Sequence, residues 1–323
     1  AAAVAGSYLY VRAYLKSDGF LAMLEQSAVD DMNVETARID PLDWDGSGIR
    51  CGGVVMEGHE FLTSLQARNI ETEFSRWELL KRAFVITSVN IAELKLHLAP
   101  VSFRFREKPE GPRSWAEENI LPDTFRLEKG SIDSLSVSYG EAGRLYVLDG
   151  ARVESAYDAG SSQYRFDVRG GKLLLPFQGC PEFSLMSGTA QFNHSSRRVN
   201  IPSCRLTTDA GGYLDIKGDW DGSSSSWTAN VVVNGVPVSS ILEDHWRKHV
   251  HGSVSGGIDL RGGRDGVTHV AGLARLQGGM LTGLPVLDRL ALFCGSSRFR
   301  NLPLHEASAQ FVYQESAWHI SNI

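Results

Sequence analysis

Apolar and polar residues alternate with a period of two in one stretch after another. Val101, Phe103 and Phe105 fall on one side with Ser102, Arg104 and Arg106 on the other; Leu214 and Ile216 oppose Asp215 and Lys217; Ile258 and Leu260 oppose Asp259 and Arg261. That is the mark of a strand with one dry and one wet face. Residues 132–139, 144–153, 164–168, 172–177, 183–192, 198–206, 227–233, 268–276 and 307–313 are further strand candidates. Asp149-Gly150, Arg169-Gly170-Gly171, Asp219-Trp220-Asp221-Gly222 and the stretch from Gly262 to Gly266 punctuate them, residues suited to tight turns. The spacing predicts a mainly β protein built as an antiparallel meander, with nothing resembling a βαβ series.

A period of 3.6 surfaces in few places. Ser17-Asp18 caps a segment with Phe20, Leu21, Leu24 and Ala28 on one side. From Pro237, Val238, Ile241, Leu242 and Trp246 share a face, and Ser240 with Glu243 fits a capping box. A third helix opens at Gly283-Leu284-Pro285, its apolar face made by Leu284, Leu287, Leu290 and Ala291. A short fourth covers residues 75–82. These are the few amphipathic helices expected beside the sheet.

Composition changes the picture little. Of 323 residues, 42% are hydrophobic and 22% charged, which excludes a disordered or collagen-like chain. The net charge of −6 and the scattered basic residues exclude a nucleic-acid footprint, so no nucleic acid is expected as a partner. Residues 1–11 are small and apolar but too few to span a bilayer, which takes about 20. They read either as the outer half of a membrane anchor or as an ordinary helical start. At the other end the chain stops at Trp318 to Ile323 in mid-strand pattern, so the natural protein is expected to continue.

Candidate chemistry is sparse. No nucleophile elbow, phosphate loop, dinucleotide fingerprint or zinc-protease helix is present. Asp43-Trp44-Asp45-Gly46 recurs as Asp219-Trp220-Asp221-Gly222, yet the glutamate a calcium loop needs at its twelfth position is Val54 or Asn230, so both read as turns. His245 and His249 sit one helical turn apart, but Arg247 and Lys248 crowd them with positive charge and no third ligand follows. Asp30-Asp31 and Glu117-Glu118 read as solvated pairs rather than as catalytic ones. Cys51, Cys180, Cys204 and Cys294 lack zinc spacing; Cys180 and Cys204 flank neighbouring strands and read either as an oxidised pair or as free thiols. No catalytic residue, metal or cofactor is expected, and the chain is read as not an enzyme.

Gly212-Tyr213-Leu214-Asp215-Ile216-Lys217-Gly218-Asp219-Trp220, then Val236-Pro237-Val238-Ser239-Ser240-Ile241-Leu242, then Val250-His251-Gly252-Ser253-Val254-Ser255-Gly256 make a strand, helix and strand series. It continues through Leu276 to Leu290, with Gly283-Leu284-Pro285-Val286-Leu287, and on to Arg298 to Leu304 and Ala307 to Phe311. The series resembles the C-terminal part of AsmA-like proteins of diderm bacteria, and Tyr14 to Leu21 followed by Asp43-Trp44 is similar to their front. The resemblance covers roughly residues 8 to 98 and 210 to 323; the middle is alike only in β character.

That resemblance implies an elongated, curved antiparallel β-groove. Its parts would be the end of an anchor or a leading helix (1–16), the N-terminal and central groove (17–210), and an AsmA-like C-terminal region (211–323). It also implies a periplasmic lipid-binding or lipid-transfer protein, anchored to the inner membrane and serving outer-membrane biogenesis or homeostasis, with phospholipid or another envelope lipid as partner. Leu21, Leu24, Ile241, Leu242, Leu284, Leu287 and Leu290 are the residues expected to touch lipid. The alternative is a non-enzymatic scaffold that joins outer-membrane assembly proteins through strand edges. A glycan hydrolase would instead need two carboxylates facing each other across a cleft.

Overall fold

In the computed structural model the alternation does produce strands: the chain is mainly β and mostly antiparallel, with three short α-helices among the described residues. Those residues are 17–44, 48–58, 61–75, 83–100, 124–141, 143–176, 180–193, 195–242, 244–263, 266–314 and 317–322. The strand expected at 101–106, the helix at 75–82 and the leading segment 1–16 lie wholly or almost wholly outside them. The chain divides into two compact units, Ala1–Ser161 and Ser162–Ile323. The regional boundary drawn from the resemblance, after residue 210, falls in a turn inside the second unit.

The first unit opens with α1 (Asp18–Met32), started as expected at Ser17, whose Oγ accepts a hydrogen bond from the Phe20 N–H at 3.3 Å. The helix ends at Asn33, which takes the left-handed conformation, and its half-buried stripe of Phe20, Leu21, Leu24 and Ala28 matches the predicted face. It packs against β1 (Thr36–Ile39), where Glu25 accepts from the Ile39 N–H at 2.9 Å. Both β1 and β2 (Leu42–Trp44) pair with β3 (Gly48–Glu57). They follow one course interrupted at Asp40-Pro41, where proline has no N–H for the ladder.

Next come β4 (Leu62–Phe74), β5 (Ala83–Leu98), β6 (Thr124–Leu127), β7 (Lys129–Glu141) and β8 (Arg144–Asp158). β3, β4 and β5 pair antiparallel in turn, as do β7 and β8, but β5 runs parallel to both β6 and β7. The pure meander expected from sequence is therefore corrected at one place. Parallel neighbours need a connection of a dozen or more residues, and β5 and β6 are separated in sequence by more than that, from Leu98 to Thr124.

A second feature of this unit runs across the strands. The paired register steps over Gly52, Asn69, Ala92 and Asp133, four residues at one level of β3, β4, β5 and β7. On one side of that level stands the row Cys51, Ile70, Ile91, Ile132 and Val153; on the other stands Val54, Ala67, Leu94, Leu135 and Ala151. In β3, β4, β5 and β7 the apolar positions change between odd and even numbers on crossing it, while β8 keeps odd numbers through Ala151 and Val153. Asn69 marks the level with a φ of 51°, a left-handed conformation that asparagine tolerates better than branched residues do. Cys51, Ala67, Ala151 and Val153 are the buried residues of these two rows.

In the second unit, β9 (Gln163–Arg169) and β10 (Lys172–Leu174) both pair with β11 (Phe183–Asn193), interrupted where Gly170 and Gly171 take positive φ. From there β12 (Arg198–Thr208), β13 (Tyr213–Asp221), β14 (Ser226–Pro237), β15 (Val250–Gly263), β16 (Gly266–Thr282), β17 (Asn301–Gln314) and β18 (Ala317–Ser321) form the predicted meander, each antiparallel to the last. Two helical connections sit at the same end of these strands. One is a 3-10 turn (Val238–Ser240) followed by α2 (Asp244–Arg247); the other is α3 (Pro285–Phe293) followed by a second 3-10 turn (Ser297–Arg300).

Two local expectations are corrected here. The helix predicted from Pro237 forms only in two fragments, because Ser240 Oγ donates back to the Pro237 carbonyl at 2.7 Å instead of capping forward. Asp149-Gly150 is no hairpin turn: both residues lie inside β8, where Gly150 takes a φ of 71° beside an irregularity in the pairing with β7.

Candidate functional site

Direct partners in an antiparallel ladder point to the same face, so the register of the second unit can be read as rows across the sheet. One row is Cys204, Ile216, Val231, Ile258, Gly272, Phe311 and Ile320. Beside it run Ile201, Gly218, Ala229, Leu260, Val270, Tyr313 and Trp318, and on the other side Leu206, Leu214, Val233, Gly256, Ala274 and Ala309. A fourth row is Val199, Trp220, Trp227 and Gly262. The glycines serve the aromatics: a Cβ on Gly262 would meet the Trp227 ring, and one on Gly272 would meet the Phe311 ring. Irregularities keep the rows aligned where simple alternation would lose them, at Pro202-Ser203 in β12 and at Asn234-Gly235 in β14.

The opposite face is polar and paired with itself. Arg205 grips Asp215 through two bonds of 2.6 and 2.7 Å and lies over the Tyr213 ring. Asn200 donates to Asp219 at 2.7 Å, Asn230 to Asp259 at 2.8 Å, and Arg198 to Asp221 at 3.1 Å. The Arg205 hydrogen bonds lower the Asp215 pKa, and those from Arg165 lower that of Asp167. Asp221 is lowered to about 2, chiefly by the Ser223 hydroxyl and N–H at the turn that follows it. A depression of about 520 Å³ is lined by residues of both faces, the polar Asn193, Arg198, Asn200 and Asp219 and the apolar-row Trp220 and Trp227. Much of its polar lining is already spent on these cross-strand bonds.

The two faces differ in cover. Around the helical end the apolar rows are sealed: Phe183, Leu185, Leu206, Val236 and Val238 are buried, Leu206 at 2% exposure. Away from that end Val270 is buried, but Ile216, Val231, Ile258, Leu260 and Phe311 are only half-buried, Trp220 is 42% exposed, and Trp318 and Ile320 are exposed by more than half. No described large side chain anywhere is fully buried. An apolar sheet face of this extent ordinarily finds a second layer to pack on. Here the described residues leave much of it half open.

The residues singled out from sequence fall in both units and differ in cover. Leu21 and Leu24 are half-buried on α1 in the first unit. In the second unit Leu287 is buried, Leu242 and Leu284 are half-buried, and Ile241 and Leu290 are exposed. Leu284, Leu287 and Leu290 share α3 and its N-terminal cap, whereas Ile241 and Leu242 follow the first 3-10 turn. The more extensive apolar surface is the strand rows, which the choice of helical leucines passed over. The signal was present in Leu214, Ile216, Ile258 and Leu260, whose parity marks one face once consecutive strands are paired in order.

Other expectations resolve as follows. Cys180 and Cys204 are free. Phe183, three residues after Cys180, pairs with Thr208, whereas Cys204 stands opposite Gly188, so a rise of about 3.3 Å per residue separates the thiols along the strands. The suggested disulfide is thereby corrected; burial raises the pKa of both thiols, and of Cys51. His249 lies beyond the end of α2, its Nδ1 2.8 Å from the Thr282 carbonyl, so it does not share a helix face with His245. Asp219 and Asp221 belong to β13, and the turn proper is Gly222 to Ser225. Asp45, Gly46, Glu117 and Glu118 lie outside the described residues. Among those residues no group of three or more metal-binding side chains gathers, and no helix is long and apolar enough to cross a membrane.

Comparison with known families, curated proteins and solved structures finds no match. What fold and site define is a class of architecture: a mainly β chain whose second unit is an antiparallel meander with one self-paired polar face and one apolar face.

Proposed function

We propose that the chain binds lipid, with acyl chains lying on the apolar rows of β11 to β18, and that it serves lipid transfer in the envelope of a diderm bacterium. The observation that carries this reading is the half-buried state of those rows. Ile216, Val231, Ile258 and Phe311 stand in one row across the five strands β13 to β17, with Gly272 of β16 between the last two, and face no described layer that buries them fully. Covering apolar surface is worth about 25 cal/mol per Å² removed from water, and an acyl chain fits a long row without needing a single polar partner. The self-paired polar face stays wet while the other is covered. Nothing in this role requires covalent chemistry, a metal or a cofactor.

Periplasmic residence, anchorage to the inner membrane and a part in outer-membrane homeostasis belong to the same proposal and rest on the sequence resemblance alone. The test is extraction of the chain under gentle conditions followed by mass spectrometry of whatever organic-soluble material accompanies it. Phospholipid in the wild-type sample, and its loss in Val231→Glu or Ile258→Glu with the β signal in circular dichroism retained, is the expected result. Lipid-free protein, or lipid retained in both folded variants, overturns it and leaves the scaffold as the reading to pursue.

A further inference from the structure

Helix α3 is apolar almost all the way round. Between Pro285 and Phe293 only Asp288 and Arg289 are polar, a composition normal for a helix enclosed on every side. It is not enclosed. Leu287 and Ala291 form its buried stripe, while Val286, Leu290, Leu292 and Phe293 are exposed, Leu292 at 77% and Phe293 at 91%. The 3-10 turn packed against it adds Phe299 as another exposed apolar group. Single exposed leucines are routine on protein surfaces; a contiguous set of this size marks an interaction site.

Neighbouring residues identify the kind of partner. Thr282, just before α3, holds the segment after α2: its N–H donates to the His249 carbonyl at 2.9 Å and its hydroxyl to the Lys248 carbonyl at 3.1 Å. That ties exposed Trp246 and its flanking Arg247 and Lys248 to the same end of the unit. Exposed Arg289 belongs to α3 itself and exposed Arg298 and Arg300 to the 3-10 turn packed against it, with Asp288, which Arg300 approaches at 3.7 Å, as the acidic residue inside the helix. Cations around leucine, phenylalanine and tryptophan are the composition of an element that rests in a membrane interface, apolar side chains among the acyl chains and basic ones at phosphates. Nine residues of helix extend about 14 Å, enough to lie on a bilayer and too short to cross one.

We infer that the α3 end of the second unit docks on the surface of an anionic lipid bilayer, with Leu292 and Phe293 inserted and Arg289 and Arg298 at the headgroups. This is independent of whether acyl chains occupy the sheet, because it concerns a surface outside the rows. The proposal does not depend on a second protein or a second copy of the chain.

The test is flotation of the full chain with vesicles of mixed phosphatidylcholine and phosphatidylglycerol, and with vesicles of phosphatidylcholine alone. Binding to the anionic vesicles, weakened by added salt and by Arg289→Ala with Arg298→Ala, is the expected result. Leu292→Ser with Phe293→Ser should cut binding by about tenfold or more. Both side chains point into solvent, so the thermal midpoint should hold. A second readout avoids reliance on that variant. Cys294 is exposed whereas Cys51 is buried and Cys180 and Cys204 are half-buried, so an environment-sensitive fluorophore will label it first and should brighten on anionic vesicles. No flotation, equal flotation of the double serine variant, or a patch-dependent dimer that floats no vesicles each overturns the inference. Flotation with no co-purified lipid would retain the docking surface and sink only the lipid-carrying sheet; the reverse result would do the opposite.

Discussion

The two units use the same alternation in different ways. In the second, each departure from strict period two is local: Pro202 and Gly235 disturb different strands at different levels, and the apolar rows pass them unbroken. In the first, four strands change parity at one shared level, Gly52 to Asp133, and a parallel pairing interrupts the meander. Buried residues lie on both sides of that level, whereas in the second unit most of them gather at the helical end and, Val270 apart, leave the remaining rows half open. The difference teaches that a sheet can be strongly patterned without being uniformly covered, and that cover rather than pattern separates packing from a surface available to a ligand.

The largest effect should separate sealed from open positions inside the second unit. Leu206→Ala, at the sealed end, should cost about 2 to 4 kcal/mol, whereas Ile216→Ala, half-buried on the same face, should cost about 1 kcal/mol. Urea unfolding of the two variants side by side measures the gap, and equal losses would break the contrast between covered and open rows. A smaller effect tests the parity change in the first unit. Asn69→Val should lose about 1 to 2 kcal/mol because a branched residue resists a positive φ, while Asn69→Gly should be nearly neutral. Thermal melts decide this, and a harmless valine would remove Asn69 as the marker of that level.

The smallest effect is a pH dependence at the β13 turn. The folded Asp221 pKa of about 2 lies below its unfolded value of about 3.9, so its contribution is complete above that unfolded value and fades as pH falls toward 2. Asp221→Asn should flatten this slice of the acid melting profile and leave the midpoint near neutral pH little changed, its side chain being solvent-screened. A variant profile parallel to wild type through the acid range would rule out the turn hydrogen bonds as the source.

Legibility in the sequence follows from these same residues. β13 and β15 were readable because Leu214, Ile216, Ile258 and Leu260 keep one parity against charged neighbours. β3, β4 and β5 were not, because Ile49 and Cys51 give way to Val54 and Met56, and Val89 and Ile91 to Leu94 and Leu96, so no period-two template runs their length. β4 adds Gln, Ala, Arg and Glu in a run with good helix propensity, which tertiary pairing overrides. The start of α3 was plain from Pro285, but its exposure was not: periodicity says which residues share a face and is silent on whether anything lies against it.

The sequence by itself determined the fold class, the strand identities of the second unit and the Ser17 cap, all consequences of local periodicity and turn preference. Only the tertiary structure decided the parallel step at β5, the separation of Cys180 from Cys204, the shared level at which four strands change parity, and which apolar residues are covered. These depend on register and on contacts between residues far apart in the chain. A one-residue slip in register exchanges the two faces of a strand, and no local pattern records which neighbour arrives to cover it.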